Sequence, residues 1–209
     1  MYPLGVDISH HQGSPNMDAA KASGIQFCFH KATQGATYID PKLQDNKQQA
    51  LAAGLLWGLY HFGTGDDVTA QVTHFLQIAG DTKVLVLDFE KNTSGGLSMT
   101  LTQAEEFAQQ IEQATGRWPI LYTGNWLKDM NTESDILSKC PLWLAQYGPT
   151  PKLPLGFDTW TFWQYTDGSV GPTTIQGAVV PHIIDGIGRC DIDLFNGDAA
   201  ALNTFWTGI

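Results

Sequence analysis

Short apolar blocks alternate along this chain with segments whose apolar residues recur at helical spacing. The blocks at 4–8, 27–33, 55–62, 84–90, 119–124, 142–147, 159–166 and 190–195 read as eight strands. The clearest helix spans 102–115, where Ala104, Phe107, Ala108, Ile111 and Thr115 share one face. Thr102 and Glu105 have capping-box spacing at its start, and Gly116 stands where a left-handed C-terminal residue is wanted. Further helices are expected over 41–53 and 66–79.

This alternation predicts an α/β fold of parallel strands joined by right-handed crossovers, and eight strands are enough to close a barrel. After residue 142 convincing helices cease and glycine and proline become frequent from 148 to 188, so the barrel is expected to be irregular and its last third β-rich.

Composition limits the setting. At 209 residues and 22.9 kDa, with 43% hydrophobic and 15% charged residues, the chain suits one ordered domain, spanning 1–209. A net charge of -10 argues against nucleic acid and anionic membrane surfaces as partners. No apolar stretch is long enough to cross a bilayer, and MYPLGVDIS lacks the basic and apolar regions of a secretory signal. Cys28, Cys140 and Cys190 have no metal-ligand spacing and an odd count, which points to reduced thiols, with Cys28 in the core.

Candidate chemistry concentrates in VLVLDFE, residues 84–90, where an apolar strand ends in Asp88 and Glu90. Two residues apart on a strand, these acids project from one face while Phe89 turns to the other. Paired carboxylates in unlike environments are what glycosidic bond cleavage requires, one protonated for the leaving oxygen and one ionised beside the positive sugar. In a closed barrel the last strand neighbours the first, bringing Asp7, Asp191 and Asp193 to the same end. Such crowding of like charges is expected to keep Glu90 protonated. Tyr60, Tyr122, Trp143, Tyr147, Trp163 and Tyr165 fall near strand ends and would ring the site, and Gln146 and Gln164 would bind hydroxyl or acetamido groups.

Taken in order, GVDISHHQG, HKATQGATYIDP, AGLLWGLYHF, VLDFE, PILYTG, LWLAQY, FWQYT and CDIDLF resemble the glycoside hydrolase family 25 lysozymes, the Chalaropsis-type muramidases common among phage endolysins. The resemblance covers nearly the whole chain. It implies an irregular TIM-like barrel of about five β/α units followed by β-rich C-terminal strands. It also implies hydrolysis of the β-1,4 bond between N-acetylmuramic acid and N-acetylglucosamine in peptidoglycan, with retention. By motif, Glu90 is similar to the family's general acid and Asp88 to the carboxylate that stabilises the reacting sugar, with Asp7 and Asp191 completing the set. Peptidoglycan glycan strands would be the partner of a monomer that acts on the cell wall without a cofactor or an appended wall-binding domain.

Two positions depart from the pattern. Gln34 stands where KATEG has glutamate, and the stretch from Val170 to Gly188 is longer than usual, which would reshape the groove. Two other classes remain open. Asp7, His10, His11, His30 and His61 at one barrel end would suit a metal-dependent polysaccharide deacetylase, although their spacing matches no strong zinc motif. A carbohydrate-binding protein that has lost turnover on the same scaffold is the other, and the intact acids weigh against it.

Overall fold

The structure, a computed structural model, describes residues 2–93 and 95–208. Seven strands run parallel: β1 (Leu4–Ile8), β2 (Ile25–Gln34), β4 (Leu56–Phe62), β5 (Leu85–Asp88), β6 (Ile120–Thr123), β7 (Leu142–Ala145) and β8 (Phe162–Thr166). The short β3 (Tyr38–Ile39) folds back on the end of β2. β11 (Asp191–Phe195) is antiparallel to both β8 and β1, and the β1–β2 pairing closes a barrel of eight strands.

Five crossovers carry a helix: α1 (Met17–Ala22), α2 (Leu43–Ala52), α3 (Val68–Ala79), α4 (Leu101–Thr115) and α5 (Asn125–Met130). Five β/α units followed by β-rich strands is the expected irregular barrel. β7 reaches β8 without a helix, and β8 reaches β11 through a loop holding the hairpin β9 (Thr174–Ile175) and β10 (Ala178–Val179). Gln176 and Gly177 turn this hairpin at φ 51° and 79°, the left-handed pair that a tight two-residue turn needs.

Strand parity divides the apolar residues into two layers. Val6, Ile8, Cys28, Ala32, Leu59, Leu85, Leu87, Phe89, Leu121, Ile192 and Leu194 face outward, into the core shared with the helices. Phe27, Phe29, Val84, Val86, Ile120, Trp143, Phe162 and Phe195 face inward and fill the barrel's lower half. Two glycines make room for them. A Cβ at Gly5 would collide with Phe27 Cε2, and one at Gly58 would stand 2.6 Å from Phe29 Cδ1.

The final helix, α6 (Ala199–Gly208), was not anticipated. It closes the bottom of the barrel, with Leu202 and Trp206 joining the inner layer and the Trp206 ring 5.5 Å from Phe29 and 5.7 Å from Phe27. Trp206 Nε1 donates to Trp57 O at 3.1 Å, so the buried indole keeps a partner.

The start of α4 also differs from expectation. Both T-x-x-Q at 100–103 and T-x-x-E at 102–105 fit a capping box. The helix begins at Leu101, so Thr100 is the cap: its hydroxyl accepts from Gln103 N at 3.2 Å while Gln103 Oε1 accepts from Thr100 N at 3.0 Å. Glu105 instead accepts from Ser134 Oγ at 2.7 Å. Gly116 is left-handed at φ 75°, as its position predicts.

The stretch from Val170 to Gly188 does not reach the central cleft among the described residues. Ile175 and Ile184 join the outer core, and Gly186 packs against Asn16. This stretch covers the outer face of the barrel between β8 and β11.

Candidate active site

Above the apolar layer, the same inward positions become polar within two residues. β5 passes from Val86 to Asp88, β6 from Ile120 to Tyr122, and β8 from Phe162 to Gln164. β1 contributes Asp7 beyond Gly5, and β4 contributes Tyr60 beyond Gly58. β11 runs the opposite way, so its first residues, Asp191 and Asp193, reach this end, with Asp191 paired to Asp7. These strand ends enclose a cavity of about 250 Å³ lined by Asp7, Asp88, Glu90 and Asp191, with Tyr60, Tyr122, Trp143, Tyr147 and Gln164 as its walls. Its position at the C-terminal ends of the parallel strands is where barrel enzymes place their chemistry.

A hydrogen-bonded frame holds the walls. Gln164 donates to Asp7 Oδ2 at 2.7 Å, and its carbonyl accepts from the Tyr122 and Tyr147 hydroxyls at 2.9 and 2.8 Å. Trp143 Nε1 donates to Asp193 Oδ1 at 2.7 Å. Asp88 Oδ1 is buried and accepts no hydrogen bond among the described residues.

Burial is the first cause of every raised carboxyl here. Asp7 lies well above the usual carboxylate range, raised further by Asp191 and Asp193 and opposed by its bond from Gln164. Asp193 is likewise raised by burial, against the bond from Trp143. Burial and then the Glu90 charge raise Asp88, while Lys31 opposes both. Asp191 is pushed up to about 6 by burial, then by Asp167 and Glu90. Glu90 is raised by burial against Lys31. Burial is thus the leading cause at Glu90, beside the mutual repulsion it shares with Asp88, while like-charge crowding also raises Asp7, Asp191 and Asp193.

Three expected binding residues lie elsewhere. Tyr165 and Trp163 have the outward parity of β8 and sit in the outer core, where Tyr165 OH donates to Pro181 O at 2.6 Å and Trp163 Nε1 to Gln146 O at 2.7 Å. Gln146 lies beside the acid cavity and is committed to its own loop. Its Oε1 accepts from Lys128 Nζ and Lys152 N, both at 3.0 Å, and its amide donates to Thr150 O at 2.8 Å.

Lys31 was overlooked, although its parity was readable. It lies two residues beyond Phe29 on the inward face of β2. Its ammonium donates to Gln34 Oε1 at 2.6 Å and lies over the Phe62 ring at 5.0 Å. Burial lowers its pKa, and Asp88, Asp40 and Glu90 hold it up, so it is the cation beside the acid pair. Gln34 thus receives the hydrogen bond that a glutamate would receive, without neutralising Lys31.

The histidines have structural partners. His30 contacts Asn46 Nδ2 at 3.0 Å and Lys31 O at 2.7 Å, and His61 contacts Thr33 Oγ1 at 2.8 Å and Gln71 Oε1 at 3.1 Å. Burial pushes His61 down to about 3. His10 pairs with Asp40 at 2.8 Å. Among the described residues no group of three or more histidine, cysteine, aspartate or glutamate side chains is placed to hold a metal.

An acid pair on a barrel strand end, in a cleft walled by tyrosines and tryptophan, has the parts that glycosidic bond cleavage requires. The profile of the glycosyl hydrolases family 25 matches residues 6–173. Lysozyme M1 of Streptomyces globisporus is 36% identical over 216 residues, covering 95% of this chain and 69% of that protein. An N,O-diacetylmuramidase of Chalaropsis sp. is 31% identical over 184 residues, covering 78% of this chain and 87% of that protein. The solved family 25 lysozyme of Aspergillus fumigatus is 32% identical, with a TM-score of 0.82 and 99% of each chain covered. The chain belongs to glycosyl hydrolase family 25.

Proposed function

We propose that this chain is an N-acetylmuramidase that hydrolyses the β-1,4 bond between N-acetylmuramic acid and N-acetylglucosamine in peptidoglycan, with retention, and works on the cell wall as a monomer. The observation that carries this reading is the pair Asp88 and Glu90 in one tyrosine-walled cleft. The lysozyme and muramidase names of its relatives supply the substrate.

Glu90 is the more open of the pair, and burial raises its pKa; in this reading it gives a proton to the glycosidic oxygen as the bond breaks. Asp88, with an oxygen awaiting a partner, faces the positive charge that develops on the sugar and orients its acetamido group. Asp7, held by Gln164, and Asp191 border the same cavity and complete its acidic set. Tyr60, Tyr122 and Trp143 form the walls against which the sugar packs. Lys31 limits the rise of both acids, keeping Glu90 acidic enough to release its proton.

Mass spectrometry of digested sacculi tests the reading. Reducing N-acetylmuramic acid ends are expected, and products cut only at peptide or amide bonds would overturn it. Proton NMR of the first-formed anomer tests retention.

A further inference from the structure

A second cavity, of about 880 Å³, adjoins the acid cleft, and Glu90, Tyr122 and Tyr147 line both. Its charge is opposite to that of the rest of the molecule. The chain carries 21 acidic residues against 11 lysines and arginines, yet Lys91, Lys128 and Lys152 all line this one cavity. Its acids are Glu90 and Asp129. No carboxylate stands within ion-pair distance of these three lysines among the described residues.

The arrangement is built. Gln146 folds the loop from 146 to 152 around its own side chain and, through one oxygen, fixes the Lys128 ammonium on α5 and the backbone of Lys152. Burial draws the Lys128 pKa down and the Lys152 charge lowers it further, against Asp129. Two ammonium groups gathered beside a partly dry wall oppose one another until an anion enters. A planar carboxylate accepts from both through its two oxygens.

We propose that this cavity is a carboxylate subsite, in which Lys128 and Lys152, with Lys91, hold an acidic group carried on the glycan beside the cleaved bond. The proposal rests on the muramidase reading, which supplies that group: the lactyl carboxylate of muramic acid, or the carboxylates of a peptide attached to it. It gives an acidic protein a local means of seating an acidic polymer that its net charge repels.

The test uses sacculi freed of other wall polymers, either native or with their carboxyls capped as methylamides. The non-digesting Glu90→Gln protein is sedimented with each at moderate salt. Binding to native sacculi is expected to be about ten-fold tighter, equivalent to ~1.4 kcal/mol. Adding K128Q and K152Q is expected to reduce that ratio to near one. K152Q alone, at an exposed position that leaves the Gln146 bond to Lys128 in place, gives an intermediate ratio. K83Q with K139Q, beside the apolar lower end of the barrel, removes the same charge and leaves the ten-fold ratio intact.

A wild-type lysine set without preference, a K128Q/K152Q protein that keeps it, or a K83Q/K139Q protein that loses it would each overturn the subsite. An amidase that cuts the amide between peptide and lactyl group removes the peptide carboxylates and frees the lactyl carboxylate, so tight binding that survives the treatment assigns the lactyl group and binding lost with the peptide assigns the peptide. Sedimentation does not depend on which bond is cut. Failure of the muramidase reading therefore appears in the released ends, and failure of the subsite in the binding ratio.

Discussion

The lower and upper halves of the barrel are built on the same inward strand positions and differ in nearly every physical respect. Below, Phe27, Phe29, Phe162 and Trp206 pack ring against ring, with centroids 5.2 to 6.1 Å apart. Above, one residue pair further along, Asp7, Asp88, Asp191 and Asp193 crowd together with raised pKa values. The lower half provides the burial that stabilises the fold, and its rigidity allows the upper half to hold carboxyls in an unfavourable state. Trp143 joins the two: its ring lies 4.4 Å from Phe29, while its indole nitrogen bonds Asp193. Function here is supported by the lower layer and opposed by the intrinsic energetics of the upper one.

If that division is correct, changes above should affect rate and changes below should affect stability. Glu90→Gln is expected to lower kcat at least ~1000-fold, about 4 kcal/mol in the transition state, with folding unimpaired because it removes a desolvated acid. Reducing-end release and thermal unfolding, measured on the same preparation, check both parts. Wild-type-like lysis would remove Glu90 as proton donor.

Below, Trp206→Ala should open the barrel floor and cost about 3 kcal/mol of stability, read from denaturant midpoints. At temperatures where the variant remains folded, KM should stay near wild type, since none of the described residues of α6 lines the cleft. A variant with unchanged stability would show that α6 is an appendage to the barrel.

The acid layer can be tested by pH. Folding raises Asp191 from the usual carboxylate range to about 6, so the folded state binds its proton more tightly than the unfolded state. Its contribution is fully favourable below the unfolded pKa and is lost as pH rises through about 6. Asp191→Asn should therefore gain stability relative to wild type over that interval and hold the gain at higher pH. Because Asp191 is partly open to solvent, the gain should be on the order of 1–2 kcal/mol. Unfolding curves at successive pH values measure it, and a gap independent of pH would refute the assignment.

Much of this contrast was legible in the chain. The apolar run of VLVLDFE gave β5, its two acids and the outward turn of Phe89, because strand alternation is a local property. The same alternation separates Tyr165 from Gln164 and turns Lys31 inward beside Phe29. Gln146 is different. Only the fold shows that its side-chain oxygen and nitrogen bond Lys128, Lys152 and Thr150. The helix α6 had a signal in Leu202, Phe205 and Trp206 at helical spacing, with Asp198 accepting from Ala201 N at 2.8 Å, but its role as a floor depends on contacts with residues far away in sequence. The balance at Glu90 is also tertiary, since the burial that raises its pKa and the Lys31 charge that opposes the rise come from different strands.

The tyrosine frame tests whether the upper half has rigidity of its own. The Tyr122 and Tyr147 hydroxyls donate to the same Gln164 oxygen, and Gln164 in turn holds Asp7. Tyr122→Phe leaves that oxygen one donor, so its cost should be small, about 0.5–1 kcal/mol in stability. Tyr147→Phe removes the other donor and should cost a similar amount. With both replaced, a buried acceptor has lost both donors, and Gln164 is free to release Asp7. The double variant should then exceed the sum of the singles by roughly 0.5 kcal/mol or more, with a matching fall in kcat as Asp7 loses its fixed position. Strict additivity in the double-mutant cycle would mean that Gln164 is held by β8 alone, leaving the apolar layer below as the source of order in the site.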